Sequence, residues 1–404
     1  MPRLANIRLL YPISGDPIQD AAIEWDDDRI TWVGPRSTAP WAGRSDPIGS
    51  ETTNANGLIA IPGLVDCHTH LAFGGSRADE FVERCRGATY AEIAARGGGI
   101  AKTVRLTREA TARELTKRCL RVLDAMLSLG VTTVECKSGY GLSVEDELKL
   151  LRVYRDLRAA FQGTLVSTFL GAHVVPPEYR DDRTAYLRLL TDDMIPQVAS
   201  EKLAAFCDVF VEGGAFTPDE ARAVFAAATA HGLRPKLHAD QLGDGGGAAL
   251  AAEVSAISAD HLEYASDDGL RAMAATDTVA VLLPIATLYL RQPPLDARRC
   301  HAAGVEVAVA TDFNPGSAPS YHLPLAMSLA CSMNRLTPQE ALRAATLGAA
   351  KAIGLDSEVG SLEVGKRADI VLLNAESVDE WLYYCPPASP AAVFAGGELV
   401  AGGL

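Results

Sequence analysis

No Cys-x-x-Cys pair occurs among the eight cysteines (67, 85, 119, 136, 207, 300, 331 and 385), which removes a zinc-knuckle reading. A chain this long, with a large core, needs no disulfide staples, so the thiols read as reduced and mostly buried, in a cytoplasm. No uninterrupted apolar run comes near the ~20 residues that cross a bilayer. Nor does a charged segment lead into an apolar stretch after Met1, so neither a membrane span nor a secretory leader is expected. Positive charge is also scarce. Lys and Arg number 37 against 51 Asp and Glu, and the net charge of −14 argues against nucleic acid or an anionic membrane as partner. Low-complexity tracts are missing too.

What remains is core-forming material, 48% hydrophobic over 404 residues, laid out in two patterns. Residues 1–58 carry short β-prone runs, Leu4–Leu10, Ala21–Trp25 and Ile30–Val33, with a hairpin turn at Asp26–Asp28. From residue 59 apolar strands alternate with helical stretches. The expected strands are Ile59–His70, Val131–Lys137, Leu165–His173, Cys207–Glu212, Pro235–Asp240, Ala256–Glu263, Val279–Leu283 and Val305–Asp312. Helical periodicity marks Glu109–Leu129, Val144–Phe161, Pro218–His231 and Asp267–Ala275, and a capping box at Thr337 and Glu340 opens a helix running to about Ile353. Eight βα units predict an α/β fold, a closed (β/α)8 barrel over 59–354 with its active site at the C-terminal strand ends. Long connections at 71–108 and 313–335 read as functional loops. Residues 355–404 return to β character and, with 1–58, are expected to form one small β-sandwich.

The histidines sort by strand end. His68 and His70 stand two apart at the end of the first barrel strand, on one face of it. His173 ends the third strand, His238 the fifth, His261 lies near the end of the sixth, and Asp312 ends the eighth. His231, His301 and His322 fall on helices or in a loop and read as structural, as does Cys67. The His-x-His pair, one further rim histidine and one Asp give three nitrogens and one oxygen. That set suits one divalent ion, zinc first, with iron or manganese as other occupants, and a bound water of pKa ~7 as nucleophile. The fourth strand, 207–212, has no Lys to form a bridging carbamate, so a mononuclear site is expected.

This constellation resembles the amidohydrolase superfamily along the whole chain, including the tail segment 360–371. The carrying stretches are His-Thr-His-Leu-Ala-Phe-Gly-Gly-Ser-Arg-Ala (68–78), Tyr90-x-Glu-Ile with Gly-Gly-Gly-Ile (97–100), Lys-Ser-Gly-Tyr-Gly-Leu (137–142) and Thr-Phe-Leu-Gly-Ala-His (168–173). His-Ala-Asp-Gln (238–241), Ser-Ala-Asp-His-Leu-Glu (258–263) and Ala-Thr-Asp-Phe-Asn-Pro-Gly-Ser (310–317) complete the match. Within the superfamily these motifs are similar to those of members that open the ring of 4-imidazolone-5-propanoate with water, giving N-formimidoyl-L-glutamate in histidine degradation. The resemblance implies His68, His70, His238 and Asp312 as metal ligands, and a small substrate with a carboxylate tail. Arg77 would grip the tail, with Tyr140, His173, Asn314, Gly316, Ser317 and Tyr90 around the rest of the substrate. A surface ion pair with Asp79 or Glu80 is the other use open to Arg77. Homodimers are common among the members it resembles.

The expected chemistry is attack by metal-bound hydroxide, with His261 stabilising the oxyanion and Asp312 passing a proton to the leaving nitrogen. Gln241 departs from the pattern, since other members carry Glu there. Glutamine cannot act as a base, so it is expected to bind the ring. The alternatives are a nucleobase or cyclic-amidine hydrolase of the same superfamily, which leaves Arg77, Tyr140 and His173 unexplained, and a metal-free scaffold.

Overall fold

The structure is a computed structural model, described over residues 1–42, 52–89, 92–93 and 96–404. Strands of the first segment are β1 (Arg3–Leu10), β2 (Ile18–Asp26), β3 (Arg29–Pro35), β4 (Thr52–Asn54) and β5 (Ile59–Pro62). Eight more follow: β6 (Leu64–Asp66), β7 (Val131–Lys137), β8 (Thr164–Ala172), β9 (Phe206–Val211), β10 (Arg234–Ala239), β11 (Ser258–His261), β12 (Val279–Leu282) and β13 (Val307–Val309). The tail supplies β14 (Ile370–Leu373), β15 (Ala392–Ala395) and β16 (Glu398–Gly402).

Strands β6 to β13 lie side by side in sequence order, every pair parallel. That is the expected barrel. Its seam between first and last strands is closed by the segments just beyond them: Asp312 donates its N–H to His68 O at 3.0 Å and His70 donates to Phe313 O at 2.9 Å. Asp66 reaches across the same seam and accepts from Thr311 N–H (3.1 Å) and Oγ (2.6 Å).

The terminal segments build one mixed sheet in the order β16-β15-β14-β5-β1-β2-β3, with β4 beside β1. Period-two alternation gives it two apolar faces. Ile59, Ile61, Val371, Leu373 and Val393 pack on the barrel's core, while Ala60, Ile370, Leu372 and Phe394 close over Leu4, Ile7, Ile23 and Trp25. The two-residue turn Asp27–Asp28 forms the expected hairpin between β2 and β3.

Three expectations need correction. The run Ile59–His70 is two strands in two sheets. Gly63 stands between them, where the backbone passes from the mixed sheet into the barrel, and a Cβ there would lie 2.2 Å from Thr132 Oγ1, so the close approach calls for glycine. His68 and His70 therefore sit past the strand end, in the seam. The long connections hold helices of their own, Ala78–Cys85 and Ile100–Glu109 in the first and Leu323–Asn334 in the second. Thr111 caps a separate helix, Ala112–Ser128, and the helix expected to run to Ile353 is divided into Pro338–Ala344 and Leu347–Ala352. Among the described residues no helix is long and apolar enough to cross a membrane.

Candidate active site

Every strand-end histidine named above comes to one place. His68 Nε2 lies 3.4 Å and His70 Nε2 3.5 Å from Asp312 Oδ1, and His238 Nε2 lies 3.5 Å from His70 Nε2. His68, His238 and His261 form a second, overlapping triad of donor atoms within 4.8 Å of one another. All are buried.

Two of the outer nitrogens have carboxylate partners, while His70 Nδ1 is buried without one. His68 Nδ1 meets Asp260 Oδ2 at 2.6 Å and His238 Nδ1 meets Asp208 Oδ1 at 3.0 Å, so each imidazole gives its N–H outward and keeps the Nε2 lone pair for the cluster. His68 Nε2 has no hydrogen-bond partner although it is buried. Burial first, then neighbouring positive groups, hold His68, His70 and His238 well below the usual histidine pKa, so they are neutral. The His68 Nε2 lone pair thus faces Asp312 Oδ1 across 3.4 Å with no hydrogen bond between them. Donor atoms about 2.1 Å from a tetrahedral ion would stand about 3.4 Å apart. The residues fit a divalent cation.

Strain marks the same rim. His261 (φ 81°), Asp312 (φ 54°) and Asp240 (φ 50°) adopt left-handed backbone, which turns their side chains out of the strand alternation. Burial pushes the His261 pKa down to about 4, so this ring too is neutral. Its Nδ1 lies 4.0 Å from Glu263 Oε2.

A cavity of about 490 Å³ opens over the cluster, and its walls include Arg77, Tyr140, His173, Gln241, Asn314, Gly316 and Ser317. Arg77 makes the ion pair anticipated for it, Nε to Glu80 Oε2 at 2.8 Å, yet it also faces the cavity. A Cβ on Gly316 would stand 2.3 Å from Arg77 Nη1, so only glycine lets the guanidinium lie there. His173 donates from Nδ1 to Gly139 O at 3.0 Å, which leaves Nε2 as an acceptor. Asn314 spends its amide on its own loop. Its Nδ2 donates to Asp312 O (2.7 Å) and Ser317 Oγ (2.9 Å), and its Oδ1 accepts from Gly316 and Ser317 N–H. Tyr90 lies outside the described residues.

A sequence model, the amidohydrolase family, matches residues 59–400. The chain belongs to that family. Its relatives include the imidazolonepropionase of Geobacillus thermodenitrificans (strain NG80-2), 52% identical over 88% of this chain and 84% of that protein. The imidazolonepropionase of Symbiobacterium thermophilum is 48% identical over 96% and 93%. The fold recurs in a triazine hydrolase from Arthobacter aurescens (TM-score 0.77, 16% identity, 99% and 94% covered). It recurs again in a 5-methylcytosine deaminase from Klebsiella pneumoniae (0.76, 18%, 100% and 98%).

What sequence reading missed in this amidohydrolase is the support beneath the cluster. Lys137, fully buried, places its Nζ 2.7 Å from Asp208, 2.9 Å from Glu135 and 3.5 Å from Asp260. Burial opposes its charge, but the three carboxylates outweigh that and raise its pKa. One ammonium thus holds both carboxylates that orient His68 and His238. The signal was there: Glu135 and Lys137 stand two apart on a strand buried on both faces, where apolar residues are the rule. A second case is Glu147, buried at the start of the helix Val144–Leu157. It accepts from Gly139, Gly141 and Leu142 N–H and so shapes the loop that presents Tyr140.

Proposed function

We infer that this protein hydrolyses 4-imidazolone-5-propanoate to N-formimidoyl-L-glutamate, the ring-opening step of histidine degradation. The observation that carries the substrate assignment is Arg77 in the wall of the same cavity as the imidazole cluster. A flat ring with a short carboxylate tail spans the two.

In this reading His68, His70, His238 and Asp312 hold one divalent cation, zinc by the donor set, with iron as second choice. When bound, the cation polarises the substrate and makes water a nucleophile near neutral pH. The chain's own residues do the rest. Arg77 takes the tail carboxylate with its Nη edge, a match of planar fork to planar anion that Lys would not make. Tyr140 and His173 bound the ring, His173 Nε2 accepting from a ring N–H. Neutral His261, itself buried, donates to the oxygen on which charge develops. Asp312, beside the cation, takes the proton released by the attacking water and hands it to the leaving nitrogen. Gln241 hydrogen-bonds the ring without taking a proton. Asn314, Gly316 and Ser317 shape the wall beside Arg77. The eight free thiols accord with a reducing, cytoplasmic setting.

The test is incubation of the metal-loaded protein with imidazolonepropionate while following the ring's absorbance. Loss of absorbance with formation of formimidoylglutamate is expected. Metal-loaded protein that leaves the ring intact would refute the assignment.

A further inference from the structure

Arg77 has two hydrogen-bonding edges, and the structure commits only one of them. Nε goes to Glu80 Oε2 at 2.8 Å, while among the described residues neither Nη has a protein hydrogen-bond partner. Glu80 is itself 5% exposed, an unusual place for a carboxylate without a specific task. Its other oxygen, Oε1, accepts from Gly99 N–H at 3.0 Å. Gly99 (φ 68°) ends the glycine run 97–99 and starts the helix Ile100–Glu109, and Ile100 lines the cavity. One buried carboxylate therefore fastens both the arginine and the adjoining loop. On the far side, Gly316 leaves the space that Nη1 occupies.

We propose that Glu80 is the specificity-determining positioning residue of this site: by holding Arg77 Nε and Gly99 N–H together, it presents the Nη1/Nη2 fork to the carboxylate tail of the substrate. The proposal rests on the functional reading above. A guanidinium offers five N–H groups in one plane, and which edge meets an anion depends on which edge is already taken. With Nε engaged, the remaining fork matches a carboxylate end-on, and the long side chain no longer has to be ordered when substrate arrives. Glu80 touches no reacting atom. Its effect belongs in binding of the tail, not in the chemical step.

The experiment compares steady-state kinetics of metal-loaded Glu80→Ala, Glu80→Gln, Arg77→Ala and the double variant. Two rings are used, imidazolonepropionate and the same imidazolone without its propanoate tail; where the latter turns over slowly, its Ki as a competitor serves. Glu80→Ala should raise KM for the tailed substrate at least tenfold with kcat within threefold, and leave the tail-less ring within twofold. Glu80→Gln, which keeps one acceptor for two donors, should fall between. Glu80→Ala added to Arg77→Ala should cost nothing further. Equal losses on both rings, or an undiminished Glu80 effect in the Arg77→Ala background, would overturn the proposal. Failure of the unmodified protein to open imidazolonepropionate would instead overturn the functional reading.

Discussion

The barrel's interior and the core of the terminal sheet are built on opposite principles. Within the sheet, β1, β2, β5, β14 and β15 close over Leu4, Ile7, Ile23, Trp25, Ile370, Leu372 and Phe394, and the interactions are dispersion and burial. Inside the barrel the inward positions of β7, β9, β10 and β11 carry Glu135, Lys137, Asp208, Lys236, His238 and Asp260, all buried. Branched aliphatics would fill that space at lower cost. The charges are kept because they fix where two imidazoles, His68 and His238, point. The sheet can lose a side chain and lose only stability. In the barrel, losing one changes chemistry.

The largest effect should come from removing the cation. Chelation is expected to take turnover below detection, with recovery on adding back divalent metal; activity unchanged at zero metal per chain would break the contrast. Next is Lys137→Met, which strands Asp208, Glu135 and Asp260 as buried carboxylates. A loss of about 3–5 kcal/mol in denaturant unfolding is expected, together with about 10–100-fold weaker metal binding because His68 and His238 lose their fixed orientation. A stable variant with full metal affinity would show that the network does not orient the ligands. Leu372→Ala should cost about 2–5 kcal/mol by the same unfolding assay. Its kcat/KM should stay within twofold, and a larger drop would mean the sheet is part of the catalytic apparatus.

The smallest effect sets a surface baseline. Glu340 caps the helix Pro338–Ala344 and pairs with Arg298, and that bond first, against a smaller effect of burial, lowers its carboxyl to about 2. A depressed folded-state pKa gives stabilisation that is present above the ordinary glutamate value of ~4.3 and lost as pH falls towards 2. Glu340→Gln should therefore cost about 1 kcal/mol at pH 7, and the two proteins should converge by pH 2. A gap that persists at pH 2 would assign the loss to packing.

Much of this was readable in advance, for physical reasons that also explain the rest. Parallel strands buried on both faces announce themselves as apolar runs, so β7 and β12 were expected from the residue at which they begin. Histidine at a strand end is a statement about chemistry, and His68, His70, His173, His238 and His261 meet as their positions implied. What escaped were features that depend on a partner distant in sequence. Residue 63, between the two strands, has to be glycine because Thr132 stands beside it. Arg77 could be a surface ion pair or a cavity residue, and its four-residue neighbourhood could not say that it makes a buried pair with Glu80 and lines the cavity at once. Asn314, expected at the substrate, turned out to have its amide engaged within its own loop.

The seam has one more consequence. The strands it joins are the first and last of the barrel to be synthesised, and the groups that meet across it, His68 and His70 on one side and Asp312 on the other, are cluster members. Until the ribosome has released residue 312, the nascent chain displays a histidine pair with no carboxylate to complete it. The donor set is thereby completed only at the end of barrel synthesis, by the same segments whose backbone hydrogen bonds close the last gap in the fold.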